Sequence, residues 1–390
     1  MAARVQTSVK IGDVAFGGRG VGRLPDDGRA VFVPFVLTGE EVRVEIQNTR
    51  RHYAEGRLLS VLAPAPQRVE PPCPYFGQCG GCSYQHANYA AQLEIKRKQV
   101  ADILRRVGKL GDNPPVEETI ASPEIYGYRN RIRVHARDGA LGFFSLGPGE
   151  RRLLDIEQCS IASPGVNDAL RELRERYRRG KVQDGQDYNV RSLAPDPAAG
   201  ERRGRLYFQQ TNDDAAALLL DLVGRLALSA PSATSPSTQA QHHLVDAYCG
   251  AGFFSHPLAA NFSRVTGIEW DRRAVETARA EAGPNERYVA GDVAAHLATV
   301  LAEAPAEFTT LLVDPPAEGL AQEVADAIAE RPPAVLIYIS CQPPTLARDL
   351  ARLRVGSPDG PLELVSVTPL DMFPQTAEIE AVAFLRARQG

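Results

Sequence analysis

The 390-residue sequence predicts an α/β protein of three parts, the largest of which is a doubly wound, mostly parallel sheet. From about residue 206, short apolar strands alternate with helices, and about seven strands arise in this way. Residues 1–62 instead contain closely spaced β segments between glycine-rich turns, which indicates a small OB-like β-barrel. Residues 63–205 combine short strands, two basic helices and clustered cysteines. The sequence thus predicts a barrel domain at 1–62, a small central α+β domain at 63–205 and an α/β domain at 206–390.

The net charge of −4 conceals an uneven distribution of charge along the chain. Residues 1–210 carry 32 Lys and Arg against 25 Asp and Glu, whereas residues 211–390 carry 12 against 23. A basic module joined to an acidic one suggests that the first part contacts a polyanion such as nucleic acid. Because charge counting gives no geometry, a chance division of the solvated surface stays open.

The sequence shows no membrane or export signal. No uninterrupted apolar run reaches membrane-spanning length, and the segment MAARVQTSVKIGD lacks the apolar middle of a signal peptide. We therefore expect a cytoplasmic chain without membrane contact, with a monomer as the default state. In a reducing compartment, clustered cysteines more often bind metal or perform chemistry than form disulfides.

Two basic elements precede residue 110. Barrels of the OB type bind nucleic acid through aromatic and basic side chains. Such side chains occur in the barrel segment at Arg19, Arg23, Phe32, Phe35, Arg50, Arg51, His52 and Tyr53. The helix that follows is expected to bury an apolar face and to leave most of its basic residues outside that face. The apolar face comprises Leu93, Val100, Ile103, Leu104 and Val107, and the basic residues are Lys96, Arg97, Lys98, Arg105 and Arg106.

The first three strands of the α/β part end in residues that suit a nucleoside ligand. LVDAYCGAG brings the backbone of Gly250 and Gly252 close to a ligand at the end of a strand, after Asp246. The next strand ends in Glu269, which can accept hydrogen bonds from a ribose diol, and the third ends near Asp292, which can accept from an adenine amino group. This series suits S-adenosylmethionine, which has no pyrophosphate, better than a dinucleotide. Carboxylates that merely cap helices are the alternative.

Cys341 lies where the strand AVLIYIS meets a helix. The dipole at a helix N-terminus favours a thiolate, which is the nucleophilic form of cysteine. Asp314, followed by two prolines, closes the preceding strand and can present a carboxylate to a planar base. Cys249, in contrast, is interpreted as a small buried apolar residue.

Three cysteines with the spacing Cys73-x5-Cys79-x2-Cys82 indicate a metal site, because soft ligands seldom cluster by packing alone. Cys159 is the remaining unassigned cysteine of the N-terminal half and is the candidate fourth ligand. Four thiolates suit either a 4Fe-4S cluster or zinc. We expect a structural or RNA-contacting role for this site.

With these motifs in place, the chain closely resembles the uracil-5 RNA methyltransferases that carry a TRAM domain and an iron–sulfur cluster. The resemblance covers nearly the whole chain, through GGRGVGR, CPYFGQCGGCSYQH, FQQTN, DAYCGAG, DPP, SCQPPTLARDL and DMFPQTAEIE. It implies a class I, Rossmann-like methyltransferase fold behind the TRAM barrel. It also implies that RNA, either 23S ribosomal RNA or the T-loop of tRNA, is the substrate.

The resemblance assigns roles to individual residues. It implies that Cys341 is the nucleophile that adds to carbon 6 of uracil, that Glu380 is the general base and that Asp314 orients the uracil. Phe208 would line the site. The implied contacts to S-adenosylmethionine are Gln210, Tyr248, Glu269, Asp292 and Asp314, and the implied 4Fe-4S ligands are Cys73, Cys79, Cys82 and Cys159.

Four positions depart from the family pattern, namely Phe253, Ala317, Gln342 and Glu378. Ala317 replaces the arginine of D-P-P-R, and Glu378 replaces the histidine of H-V-E. If Glu378 and Glu380 lie on one strand, they face the same side, and their repulsion should raise the pKa of one. An RNA-binding iron–sulfur protein without methyltransferase activity is the rival interpretation.

Overall fold

A computed structural model of the chain describes residues 5–146, 152–192, 210–229 and 242–388. Its N-terminal part is a closed five-stranded barrel with the strand order β1-β2-β3-β5-β4. The strands are β1 Gln6–Ala15, β2 Arg19–Arg23, β3 Ala30–Pro34, β4 Glu41–Thr49 and β5 Tyr53–Ala63. Val31, Val33, Val42 and Val44 fill the interior, because alternate residues of a strand face the same side. The predicted barrel is confirmed.

The central part contains two helices and a four-stranded antiparallel sheet in the order β8-β7-β6-β9. These elements are α1 Tyr89–Arg106, β6 Arg131–Arg137, β7 Ala140–Phe144, β8 Leu153–Asp155, α2 Pro164–Arg178 and β9 Gln186–Arg191. Helix α2 packs on the sheet through Val166 and Leu170. Its Arg174 is buried and donates to both carboxylate oxygens of Asp155, each at 2.7 Å. One arginine of this basic helix is therefore buried and stabilises the contact between α2 and the sheet.

The C-terminal part contains a sheet of seven strands in the order β12-β11-β10-β13-β14-β16-β15. The strands are β10 His243–Ala247, β11 Arg264–Glu269, β12 Glu286–Ala290, β13 Thr309–Val313, β14 Val335–Ser340, β15 Leu362–Leu370 and β16 Glu380–Ala387. The helices are α3 Asp213–Ala227, α4 Ser255–Leu258, α5 Arg272–Glu281, α6 Val293–Ala302, α7 Gln322–Glu330 and α8 Pro343–Arg352, with short 3-10 turns at Ala259–Asn261 and Ala306–Phe308. Strands β10 to β14 run parallel, and the pairs that β16 makes with β14 and β15 are antiparallel.

Helices cover both faces of this sheet. On one face α6, α7 and α8 pack together with α1, and on the other face lie α3 and α4. Leu244 and Val245, consecutive residues of β10, belong to the two different cores. The carboxyl ends of the parallel strands meet at one edge of the sheet, where open α/β sheets bind their ligands.

Helix α1 buries Val100 and Leu104 of the predicted apolar face, but its buried surface also includes polar residues. Gln92, Lys96 and Gln99 are buried together with Val100, whereas Val107 is exposed. The interpretation of Lys96 as an outward-facing basic residue is therefore wrong. Residues spaced by three or four positions share one side of a helix, and on this side the polar residues find hydrogen-bond partners in the rest of the chain.

The barrel contacts the cysteine-rich segment through aromatic side chains. The Phe35 and Phe76 rings lie 5.0 Å apart in an edge-to-face arrangement. Phe35 therefore packs at this junction instead of contributing freely to an RNA-binding surface. Phe32 and Tyr53 pair at 5.8 Å, and Tyr53 is exposed. None of the helices in the described segments has the length and apolar character needed to cross a membrane.

Candidate active site

Cys341 and Glu380 lie beside each other at the edge of the sheet where β14 ends and β16 begins. Ser340 pairs with Ala381 across these antiparallel strands. Cys341 follows Ser340 in the chain, and Glu380 precedes Ala381. Extending the register by one position therefore sets Cys341 opposite Glu380. The structure therefore brings together the thiol and the carboxyl that the sequence singles out.

The surroundings of Cys341 disfavour its thiolate. Burial raises the pKa of the half-buried Cys341 to about 11, and the nearby carboxyls of Glu380 and Asp314 add to the effect. This direction is opposite to the effect expected of the helix dipole, because burial and negative neighbours favour the neutral thiol. Helix α8 begins at Pro343, and its N-cap residue Gln342 makes no capping hydrogen bond through its side chain.

Glu380 is 5% exposed, whereas Glu378 is exposed to solvent. Burial raises the pKa of Glu380 well above its usual range, and Asp314 and Glu378 add to this. Strand β16 begins at Glu380, so Glu378 precedes the strand. The premise that both glutamates lie on one strand is therefore wrong, although Glu378 does act on the pKa of Glu380 in the expected direction.

Asp314 brings a second carboxyl to this edge of the sheet. It follows Val313, which pairs with Ala247 of β10, and its N–H donates to the Ala247 carbonyl at 3.4 Å. Burial raises the pKa of Asp314 to about 7, and Asp246 adds to it. Burial likewise raises the pKa of Asp246, which is 1% exposed, to about 7. The site thus gathers several carboxyls whose proton affinity is increased.

The loop after β10 has the backbone of a ligand-binding turn. Tyr248 and Gly250 adopt φ angles of 67° and 55°, in the left-handed region. A side chain at Gly250 would meet open space within 4 Å, whereas a Cβ atom at Gly252 would lie 2.3 Å from the His256 ring. The Gly250 N–H donates to Glu269 Oε2 at 3.0 Å. The loop therefore leaves room for a ligand at Gly250 and is fixed by the carboxylate of the neighbouring strand.

Glu269 and Asp292 both bind backbone groups. Glu269 Oε1 accepts from the Asp271 N–H at 2.8 Å. Asp292 is the N-cap of α6, and its Oδ1 accepts from the Ala294 N–H at 3.0 Å. Burial raises the pKa of Tyr248 to about 12, and the Asp292 carboxylate adds to it. Asp292 therefore caps helix α6, and contact of Asp292 with a cofactor stays a prediction.

The structure says less about two other residues that are expected at the site. The Gln210 carbonyl accepts from the Asn130 side chain at 2.8 Å, ahead of α3. The described contacts do not bring the Gln210 side chain to the strand ends, so its role stays a prediction. Phe208 lies outside the described residues.

Cys249 is 5% exposed and packs with Val275, which confirms its interpretation as a buried apolar residue.

The four remaining cysteines surround one cavity, which Arg129 also lines: Cys73, Cys79, Cys82 and Cys159. Burial raises the pKa of the Cys82 thiol to about 12, and the other three thiols add to it. In the described residues, no group of three or more Cys, His, Asp or Glu side chains has the spacing of metal ligands. The structure therefore brings the four thiols to one cavity, and their role as metal ligands stays a prediction.

The sequence reasoning missed the connection between α1 and the active site. Lys96 Nζ lies 2.6 Å from Asp371 Oδ1 and 2.8 Å from the Glu378 carbonyl, in the segment that leads to Glu380. The available signal was the spacing of Gln92, Lys96 and Gln99, which places three polar residues on one side of the helix.

Comparison with known proteins gives two family matches. Residues 5–59 match the TRAM domain, and residues 299–388 match the family described as tRNA (uracil-5-)-methyltransferase. The second match includes Asp314, Cys341 and Glu380. The structure is similar to the crystal structure of Pyrococcus abyssi tRNA (uracil-54, C5)-methyltransferase in complex with S-adenosyl-L-homocysteine, at a TM-score of 0.67, 23% identity and coverage of 97% of this chain and 100% of that chain.

Two curated relatives match nearly from end to end. An uncharacterised RNA methyltransferase of Thermosynechococcus vestitus is 30% identical over 97% of this chain and 97% of its own length. The 23S rRNA (uracil(1939)-C(5))-methyltransferase of Pseudomonas putida is 33% identical over 95% of this chain and 91% of its own length. The chain therefore belongs to the RNA (uracil-5)-methyltransferase family and carries a TRAM domain at its N-terminus.

Proposed function

We propose that this protein methylates carbon 5 of a uridine in RNA, with S-adenosylmethionine as methyl donor and Cys341 as covalent nucleophile. The observation that carries the proposal is a thiol next to a buried carboxyl, Cys341 beside Glu380, at the ligand-binding edge of the sheet. Membership of the family supplies the class of reaction.

Cys341 performs the first step in this proposal. Carbon 5 of uracil is a poor nucleophile, and addition of a thiolate to carbon 6 converts the ring into an enolate with a nucleophilic carbon 5. The thiol first loses its proton to solvent, because the thiolate is the reactive form. Asp314 orients the uracil, which has to leave its stack so that both faces of the ring are accessible.

The residues of the strand ends hold the cofactor. S-adenosylmethionine supplies, when bound, an electrophilic methyl group for carbon 5. Open space at Gly250 and the left-handed backbone at Tyr248 support a binding site at this loop. Glu269 is suited to the ribose hydroxyls and Asp292 to the adenine amino group. Gln210, Gly252 and Asp314 complete the proposed contacts.

Glu380 performs the last step. Its carboxylate removes the proton from carbon 5, the bond between carbon 6 and sulfur breaks, and the double bond of the ring forms again. A raised pKa makes the Glu380 carboxylate a stronger proton acceptor once it is ionised. The burial of Glu380 also keeps water from competing for this position.

We further propose that Cys73, Cys79, Cys82 and Cys159 hold a 4Fe-4S cluster, with zinc as the alternative. Four thiols around one cavity support this assignment, since soft ligands of this number suit either metal form. The cluster would stabilise the central domain or contact RNA. Anaerobically purified protein with a visible absorbance band and bound iron supports the cluster, and a colourless zinc form refutes it.

The proposed target is 23S ribosomal RNA, as for the Pseudomonas putida relative, and the T-loop of tRNA is the second candidate. Unmodified transcripts of each RNA are incubated with protein and methyl-labelled S-adenosylmethionine, and the label is located by mass spectrometry. We expect 5-methyluridine in the 23S transcript and none with Cys341→Ala. Label in tRNA changes the target. RNA binding without label in either transcript supports the inactive rival and refutes the proposal.

A further inference from the structure

Lys96 is a fully buried charge on α1, with its ammonium group satisfied by three acceptors. Nζ lies 2.6 Å from Asp371 Oδ1, 2.8 Å from the Glu378 carbonyl and 3.2 Å from the Phe373 carbonyl. Both Lys96 and Asp371 have no exposed side-chain surface. Because an ammonium group has three donors, its hydrogen-bonding capacity is fully used at this position.

All three acceptors belong to one connection, residues 371–379, between β15 and β16. Leu370 and Glu380, at its two ends, are paired across the sheet. Asp371 is the first residue of the connection and Glu378 lies two residues before Glu380. Lys96 therefore joins the beginning of the connection to a residue near its end, two positions before the proposed base.

A second contact from α1 holds the middle of the same connection. Gln92 Nε2 donates to Gln375 Oε1 at 3.0 Å, and the Gln375 N–H donates to Gln92 Oε1 at 3.1 Å. The Gln375 carbonyl accepts from the N–H groups of Ser83 and Tyr84, directly after Cys82. Gln375 has a φ of 70°, a left-handed conformation that a non-glycine residue keeps only when its surroundings impose it. The connection is thus held in an unfavourable backbone conformation by partners far away in sequence.

We propose that Lys96 is a positioning residue for Glu380, which it holds at the carbon 5 proton of the methylated adduct by fixing residues 371–379. The inference rests on the proposed function and extends it, because it assigns a step to a residue outside the strand ends. Lys96 touches neither substrate nor cofactor in this account. Its loss should slow proton removal and leave the earlier addition of Cys341 nearly unchanged.

The alternative is a purely structural ion pair, and the chemistry separates the two. Addition by Cys341 precedes removal of the proton, so a misplaced Glu380 makes the methylated covalent adduct accumulate. General loss of structure instead lowers addition and release together. The ratio of adduct to released RNA therefore measures the position of the base, and global stability does not change it.

The test compares Lys96→Met with the double variant K96M/D371L and with Lys109→Met, an exposed lysine after α1. Removing Lys96 alone leaves a buried carboxylate unpaired, whereas apolar replacement of the whole pair is often tolerated. Holoprotein is mixed with uridine-containing RNA and methyl-labelled S-adenosylmethionine in a single turnover and quenched in detergent. Both Lys96 variants should release RNA about 100-fold more slowly, as for a displacement of about 1 Å, while labelled adduct accumulates. Lys109→Met should behave like the native protein.

Release of RNA from K96M/D371L at the native rate overturns the proposal. If addition and release slow equally, or if the double variant does not fold, the ion pair serves only the fold. Either result also overturns the proposal. The native protein is first tested with 5-fluorouridine RNA, in which carbon 5 carries no removable proton. If the native protein forms no adduct with this RNA, the proposed function itself is refuted. If the native protein forms the adduct and the Lys96 variants behave like it, only the role of Lys96 is refuted.

Discussion

The protein contains two cysteine sites, and in each of them a partly buried thiol is disfavoured as a thiolate for a different reason. In the central cavity, burial and three neighbouring thiols raise the pKa of Cys82 to about 12. At the sheet edge, burial and the carboxyls of Glu380 and Asp314 raise the pKa of Cys341 to about 11. Four thiols line the first site, whereas the single thiol of the second site faces carboxyl groups, which can accept a proton.

This difference separates the proposed ligand set from the proposed reacting pair. Mutual repulsion among four thiolates is relieved by a cation that binds them all, because metal binding favours the deprotonated form. In the proposed reaction, the carboxyls beside Cys341 instead favour the protonated resting thiol, and one of them accepts a proton at a later step. The first site is the proposed location of a metal cluster, and the second suits the proposed addition followed by elimination.

The largest expected effect tests the reacting pair through Glu380→Gln. Loss of the base should lower turnover by about 10²–10⁴-fold, the usual contribution of general base catalysis. Addition by Cys341 should persist, so labelled adduct with uridine RNA should accumulate. Single-turnover assays measure both quantities. Glu363→Gln, at an exposed position of β15, is the control, and normal turnover by Glu380→Gln would show that another group removes the proton.

The pH dependence of adduct formation tests the protonated resting state. With the pKa of Cys341 near 11, the thiolate fraction and the rate of adduct formation with 5-fluorouridine RNA should rise about tenfold per pH unit between about pH 7 and 9. The sign follows because the reactive form is the deprotonated one. A rate that is flat across this range contradicts the assignment of a raised pKa to the free protein.

Cys82→Ser tests the ligand set. The variant should lose bound iron and its visible absorbance, and its unfolding midpoint should fall by roughly 2–5 °C, the size expected for a few kcal/mol in a protein of this length. Calorimetry and metal analysis measure both changes. Adduct formation by Cys341 should decrease less than in any change to the sheet edge. An unchanged metal content would remove Cys82 from the ligand set.

The smallest effect is expected from Glu378→Gln. Glu378 is exposed and is the last contributor to the raised pKa of Cys341. Its neutralisation should move the pH profile of adduct formation to lower pH and increase the rate at pH 7 by about two- to fivefold, as for a screened surface charge. An effect as large as that of Glu380→Gln would place Glu378 inside the reacting group.

Local patterns were sufficient for the barrel and for the positions of Cys341, Asp314 and Glu269, because strand ends follow from the alternation of strands and helices. The burial of Lys96 was not predictable in this way. Its partner Asp371 lies 275 residues further along the chain, and periodicity carries no information about such a partner. A helix face that contains glutamine and lysine is ordinarily solvated.

The electrostatics of Cys341 were also beyond local reasoning. A strand–helix junction predicts a favoured thiolate, but the sign of the pKa change depends on which groups surround the thiol. Those groups come from β13 and β16, which the sequence separates from Cys341 by tens of residues. The different exposure of Glu378 and Glu380 was also not predictable from local patterns. It follows from the start of β16 at Glu380, which leaves Glu378 outside the strand.

The central claim is the covalent role of Cys341, and trapping with 5-fluorouridine RNA tests it most directly. The native protein is incubated with this RNA and S-adenosylmethionine, and adducts are separated in denaturing gels and mapped by mass spectrometry. Our account predicts an adduct at Cys341 that Cys341→Ala abolishes and that Cys249→Ala retains. An adduct that persists in Cys341→Ala, or methylation by that variant at the native rate, would contradict it.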